Sequence, residues 1–273
     1  MGFDERTKQL IGEENNFNLQ SKKVIVFGVG GVGGYVVEML ARTGIGEIAI
    51  VDFDTVSESN INRQIIADLN SVGKLKVECF KQRILSINPN CEVKVFAEKV
   101  DENNVQIFDL KNYDYVVDCI DMLSGKIALI KYCKENNINI ISSMGAGNRF
   151  EVPKFEVCDI SKTKNDGLAR ILRYKLRKLG INHTMVCYTM QEAKKSKIIG
   201  SIAYFPAMAG ITISAFVINQ FLKGEWYGNK AFNRWKFWKR NKQAKFGCCR
   251  FFCNMVWTLQ NTWTNFGKCC WWS

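Results

Sequence analysis

The run Gly28-Val-Gly30-Gly31-Val-Gly33-Gly34 constrains this chain more than any other feature. It lies between a short β-branched and aromatic segment, residues 24–27, and a segment, 35–42, whose apolar residues Val36, Val37, Met39 and Leu40 recur at helical spacing. Residues 48–51 read as a second buried strand, which ends at Asp52, 19 residues after Gly33. Glycines after a strand let backbone N–H groups approach a phosphate at the positive end of a helix. An acid at the tip of the next strand accepts from both ribose hydroxyls. A turn serving only helix–strand packing would not need that spaced acid, so the unit reads as an adenine-nucleotide site.

The rest of the chain continues the alternation. Residues 72–87 carry Val77, Phe80, Ile84 and Ile87 on one helical face, and Asn88-Pro89 stops the helix. Strands are expected at 93–96, 115–120 and 138–142, with helices at 101–108 and 126–136. Each strand is a nearly continuous apolar run, as in a parallel sheet covered on both faces. Beyond Gly147 the pattern changes to a strand at 155–160, a basic helix at 167–179, a strand at 184–189, a polar loop at 194–197 and an apolar helix at 208–222. The fold class is therefore α/β, a Rossmann-like doubly wound sheet, largely parallel, with a mixed C-terminal extension. The first 23 residues contain acids and no hydrophobic core segment, so they read as a short polar helix rather than a secretory signal. No stretch is apolar for long enough to cross a bilayer. The cysteines before residue 228 stand singly in apolar runs, as reduced thiols of a cytoplasmic enzyme do.

The net charge of +12 divides unevenly. Residues 229–273 hold nine Lys and Arg and no acid, so residues 1–228 account for only +3. That tail also carries six of the seven tryptophans and five of the eleven cysteines. Two units follow, a nucleotide-binding domain at 1–228 and a basic, aromatic, Cys-rich tail at 229–273. The tail lacks helix caps and any period, and is expected not to join the fold.

A nicotinamide enzyme would use the same glycine unit, so the residues after Asp52 must choose the nucleotide. Asp54 and then Ser59-Asn60-Ile61-Asn62-Arg63-Gln64 place a carboxylate, amides and a guanidinium in a polar loop, and Lys76 follows. A guanidinium and an ammonium converging there suit a triphosphate, where charge develops on departing pyrophosphate. Solvated surface positions are the usual fate of such residues, and neither cation decides the matter alone. Asp118 and Asp121 end the fourth strand, on the edge where open α/β sheets bind ligands. Asp121 lies beyond the apolar run and is the choice for a carboxylate holding Mg²⁺ through phosphates. Asp118 is equally readable as an inward residue satisfied by backbone donors.

Taken together, GVGGVGG, VDFDTVSESNINRQ, VGKLKVE, INPNCEV and VVDCID resemble the ubiquitin-activating-enzyme-like adenylyltransferases, over roughly residues 6–222. That resemblance implies ATP and Mg²⁺ at the glycine loop (Gly28, Gly30, Gly31, Gly33), with Asp52 on the ribose. It puts Asn60, Arg63 and Lys76 on the phosphates and Asp121 on the metal. It also implies a homodimer in which Arg6 of the N-terminal arm reaches the partner's nucleotide. Within the family, the second half is similar to the tRNA threonylcarbamoyladenosine dehydratases. The residues are SSMGAG (142–147), DISKT (159–163), Asp166 with Leu168-Ala169-Arg170, LRKLGI (176–181), Gly200-Ser201, Pro206 and Ala209-Gly210. Gly167 and Met122 depart from that group, which commonly has proline and an amide side chain there.

The implied reaction adenylates a carboxylate and lets an internal nucleophile of a modified tRNA base displace AMP, with no obligatory cysteine. The competing reading activates the C-terminus of a ubiquitin-like or sulfur-carrier protein. Members with that role often carry zinc on paired Cys-x-x-Cys motifs. Cys248-Cys249 and Cys253 have the wrong spacing for one, and Cys187 reads as an inert strand residue. A nicotinamide oxidoreductase or a non-catalytic nucleotide-binding partner stays open as a third class. On the basic helix, Leu168, Leu172, Leu176 and Leu179 are expected to be buried. Arg170, Arg173 and Arg177 share another face that suits either an RNA backbone or plain solvent. His183 has no visible partner and no assigned role.

Overall fold

The computed structural model describes residues 2–222, which belong to one compact unit. The tail at 229–273, and its expected separation from the fold, lies outside the described residues. In chain order the elements are α1 Glu5–Ile11, α2 Glu13–Gln20, β1 Lys23–Phe27, α3 Gly33–Thr43, β2 Glu47–Val51, α4 Lys76–Ile87 and β3 Glu92–Phe96. There follow β4 Tyr115–Asp118, α5 Leu123–Glu135, β5 Ile140–Ser143, β6 Glu156–Asp159, α6 Gly167–Lys178, β7 Met185–Tyr188 and α7 Tyr204–Phe221.

Among the described residues seven strands form one sheet, in the order β3-β2-β1-β4-β5-β7-β6. All neighbours are parallel except β6 and β7, which pair antiparallel. This is the doubly wound sheet with a mixed extension that the residues predict. Successive side chains of a strand point to opposite faces, so Val24, Val26, Ile48 and Ile50 join one apolar core and Ile25, Phe27, Ala49 and Val51 the other. The chain order reverses between β1 and β4, and a crevice therefore opens at their carboxyl ends.

Several expected boundaries move, each for a local reason. The N-terminal arm is two helices, broken at Gly12, whose φ of +82° only glycine adopts readily. Residues 101–108 do not form an α-helix. The Asp101 N–H donates to Asn104 Oδ1 and the Asn103 N–H to Asp101 Oδ1, so side chains capture the backbone and only short 3₁₀ turns form at Val105–Phe108 and Leu110–Asn112. Helix α4 starts at Lys76 rather than 72, because Leu75 is held extended by a bridge to Thr55.

Helix α7 starts at Tyr204, with Pro206 in the first turn where no N–H is required. It is the one described helix long and apolar enough to cross a membrane, with a mean hydropathy of 1.2 over 18 residues, although no such stretch is expected from the sequence. Half of it is buried within the domain, where Gly210 sits against the Val32 carbonyl of the turn before α3, so it is accounted for as a core helix. The buried stripe of α6 is Ala169, Leu172 and Leu176, while Leu179 is exposed beyond the helix end.

Glu38 of α3 is buried and accepts hydrogen bonds from Arg83 at 2.8 and 3.0 Å and from Arg42 at 2.8 Å. Burial pushes its carboxyl up, but the two guanidinium groups outweigh this and hold it below the usual glutamate value of 4.5. A carboxyl depressed in the fold contributes stability that is complete above its unfolded pKa and is lost as pH falls through the folded value. Glu38→Gln is therefore expected to lower the melting temperature at neutral pH. The deficit relative to the native chain should shrink as the pH is taken below 4.5; a deficit independent of pH would exclude this linkage.

Candidate active site

A cleft of about 600 Å³ opens at the carboxyl ends of β1 and β4. One wall is the glycine turn. Gly28 has a φ of +79° and lies against the next strand's exit, where an added Cβ would come within 3.0 Å of the Cys119 and Ile120 backbone. Gly33 is set deeper, and a Cβ there would stand 1.8 Å from the Gly28 carbonyl oxygen. Gly28, Gly30 and Gly31 line the cleft, whereas Gly33 lets the helix close upon the turn.

Asp52 forms the second wall. It is buried, with Oδ2 accepting from the Val29 N–H and Oδ1 from the Asp54 N–H, both at 2.9 Å. Two backbone donors thus fix the carboxylate, and each oxygen retains a lone pair for a ribose hydroxyl. Lys76 is nearly buried, with Nζ 2.7 Å from Asp54 and 3.9 Å from Asp52. Asn60 closes a capping box by accepting from the Ser57 N–H at 3.2 Å.

Arg63 donates through Nη1 to the Ser59 carbonyl at 2.7 Å and to Asn62 Oδ1 at 2.8 Å. Ser59 and Asn62 do not line the cleft themselves. They orient the guanidinium that does, and Asn62 also donates to the Ser201 carbonyl at 3.0 Å. Gln64 lines the cleft, and its Oε1 is a buried acceptor with no partner among the described residues. That acceptor, the anchored Asp52 and the glycine N–H groups form a donor and acceptor set suited to a nucleotide.

Asp121 sits on the turn after β4, exposed toward the cleft. No group of three or more His, Cys, Asp or Glu able to hold a metal occurs among the described residues. A single carboxylate still fits Mg²⁺, which is commonly bound by one or two protein oxygens together with substrate phosphates. Arg6 is exposed on α1 and does not line the cleft of its own chain. A further part of the wall comprises Ala146, Gly147, Ile199, Ser201 and Pro206, a lip not anticipated from sequence, and Glu98, Lys99 and Val100 add another stretch.

Sequence reasoning also misses what lies beneath Asp121. Asp118 and Lys126 are completely buried and form an ion pair at 3.0 Å. Asp118 further accepts from Ser142 Oγ, its register partner on β5, and from the Ile120 N–H at 3.1 Å. Asp118 is thus an inward residue satisfied partly by a backbone donor, as one of its two readings has it. The lysine gives no local signal, because its partner is eight residues away on another element.

Cys187 is buried on β7, and burial pushes its thiol up to about 12, so it is protonated at neutral pH. Cys187→Ala is expected to leave overall turnover unchanged; loss of turnover with ATP–pyrophosphate exchange and the fold intact would restore a thioester role. His183, given no partner from sequence, places Nδ1 3.3 Å from Asp159 Oδ2 at the exposed end of β6.

A glycine turn, an anchored acid and two cations lining one cleft at a sheet switch point make a site of ATP-binding type on a doubly wound fold. The chain belongs to the ThiF family, which it matches over residues 4–239. It is 39% identical over 241 residues to the tRNA threonylcarbamoyladenosine dehydratase of Bacillus subtilis (strain 168), covering 80% of this chain and 94% of that one. It is 41% identical over 171 residues to the Escherichia coli (strain K12) protein of the same name, covering 63% of this chain and 64% of that one. Among solved structures, E. coli tRNA N6-threonylcarbamoyladenosine dehydratase in complex with ATP superposes with a TM-score of 0.76. The two share 33% identity over 80% of this chain and 92% of that one.

Proposed function

We propose that this chain is an ATP-dependent dehydratase that cyclises N6-threonylcarbamoyladenosine in tRNA through carboxylate adenylation. The observation that carries it is the single cleft joining Gly28–Gly31, Asp52, Arg63, Lys76 and Asp121, in a chain similar to dehydratases along nearly the whole B. subtilis protein.

A carboxylate resists attack because its oxygen is a poor leaving group. In the first step the substrate carboxylate oxygen attacks the α-phosphorus of ATP, and the bond to pyrophosphate breaks. Asp52 holds the ribose, the glycine turn presents N–H groups to the phosphates, and Arg63 and Lys76 offset charge growing on the pyrophosphate. In the second step a nucleophile within the modified base attacks the acyl carbon, AMP departs, and the nucleophile's proton is released. The net change is loss of water from the base, with ATP converted to AMP and pyrophosphate. The protein supplies positioning and charge stabilisation. Mg²⁺, held by Asp121 and phosphate oxygens when bound, would neutralise further charge on the triphosphate.

The same reading carries a homodimer, with Arg6 of each arm serving the partner's cleft, and a cytoplasmic location consistent with buried reduced thiols. The test is ATP–pyrophosphate exchange with threonylcarbamoyl-modified tRNA and, separately, with small ubiquitin-like or sulfur-carrier proteins. Exchange driven by modified tRNA is expected. Exchange driven only by the carrier proteins would replace this reading with protein adenylation.

A further inference from the structure

We infer that the outer face of α6 is a track for an RNA phosphate backbone leading to the mouth of the ATP cleft. The inference rests on the tRNA reading above. At the start of α6, the N-cap Asp166 accepts from the Ala169 N–H at 2.8 Å and lies 3.8 Å from Arg149 Nη2. Arg149 in turn donates to the Gly145 and Gly147 carbonyls at 3.0 and 3.1 Å, and Gly147 lines the cleft. The helix therefore begins beside the cleft wall, and its 12 residues span about 18 Å at about 1.5 Å per residue.

Its inner stripe is spent on the core, and Arg173 is spent too. That guanidinium donates to the Ile160 and Thr163 carbonyls and to Thr163 Oγ1, so it is a structural clamp and leaves the face on which sequence places it. Arg170, Lys175, Arg177 and Lys178 are exposed, and none of them enters an ion pair among the described residues. Elsewhere on this domain Lys8, Lys22, Lys23, Lys94, Lys131 and Arg83 are each matched with a carboxylate, whereas Lys74, Lys81, Lys111 and Lys134, likewise without an ion pair among the described residues, are scattered over separate elements rather than set in a row.

The two local acids are engaged as well. Asp166 caps the helix, and Asp159 accepts from the Ser161 N–H beside His183. No Asp or Glu occurs between Gly167 and Gln191. Cations in the last turn are favoured by the helix dipole, but Arg170 near the N-terminal end is not, so the dipole does not account for the row. Tyr174 is 60% exposed among the cations, with Lys178 Nζ 4.6 Å from its ring centroid. A line of unneutralised cations around an exposed ring fits a chain of phosphates with a base to stack. An acidic protein patch would not use the ring.

The test compares the full chain with a variant carrying Arg170→Gln, Lys175→Gln, Arg177→Gln and Lys178→Gln. A control removes the same charge elsewhere through Lys74→Gln, Lys81→Gln, Lys111→Gln and Lys134→Gln. Binding of threonylcarbamoyl-modified tRNA is measured against salt concentration, beside ATP binding and the KM and kcat of cyclisation. The α6 variant should raise KM for tRNA tenfold or more with ATP binding unchanged. Its slope of log affinity against log salt should fall by about three, since each lost phosphate contact removes about 0.7–0.9. A variant with native KM and slope, or one matched by the control, overturns the track while the tRNA reading stands. A native chain that neither binds nor cyclises modified tRNA overturns the tRNA reading and the track with it. Loss of a carrier-protein interaction with tRNA binding retained would assign the face to a protein partner and overturn the track.

Discussion

Lys126→Met is expected to destabilise the domain by about 3–5 kcal/mol, because it strands a buried carboxylate without its counter-ion. Asp118 and Lys126 are both fully inaccessible, and water cannot compensate either one. Removing both charges together, as Asp118→Asn with Lys126→Met, should recover much of that loss, since a buried pair roughly offsets its own desolvation. The measurement is the midpoint of urea unfolding for the native chain, both single variants and the double variant. A single-variant cost below about 1 kcal/mol would mean that the pair does not hold this region. A functional consequence follows from the geometry. Asp118 restrains the Ile120 N–H, and Gly28 rests on the Cys119 and Ile120 backbone. Loosening the pair therefore loosens the Asp121 turn and the glycine turn at once.

Lys76→Ala is the second large effect, and it falls on chemistry more than on stability. Lys76 Nζ is within 2.7 Å of Asp54, whose side chain is 49% exposed and can be rehydrated when the lysine is gone. The fold should therefore survive, while charge growing on departing pyrophosphate loses a preorganised cation. A loss of about 10²–10³ in the rate of ATP–pyrophosphate exchange is expected, the scale of removing one such group from a dry site. A fall in kcat with little change in KM for ATP would place the contact in the transition state. If exchange stays within tenfold of the native rate, Lys76 is a structural partner of Asp54 and no more.

The two variants mark the boundary between local and assembled information. Local pattern was enough for the glycine turn, because strand, turn, helix and acid are contiguous and each follows from the residue types within 25 positions. It was enough for the parallel sheet, since buried strands must read as apolar runs. It misjudged 101–108, where Asp101 and Asn104 capture backbone groups that helical spacing alone does not weigh. It also groups Ser59 and Asn62 with the groups facing the ligand; in the structure both accept from Arg63 and neither lines the cleft. Residue type cannot separate a contacting amide from a supporting one.

What the sequence determined by itself was the local pattern of the candidate site: a glycine turn between strand and helix, an acid closing the next strand, and cations after it, all encoded as short-range runs that line one cleft. What only the tertiary structure decided was how separate runs meet. The Asp118–Lys126–Ser142 network joins β4, α5 and β5, and the cleft lip brings Gly147, Ile199 and Pro206 to the glycine turn. The withdrawal of Arg173 from the basic face depends on carbonyls 10 and 13 residues away. The physical reason is common to all three. Burial and hydrogen-bond satisfaction are properties of the assembled surfaces, and a lysine or arginine has the same local sequence signal in solvent, at a ligand or against an acid.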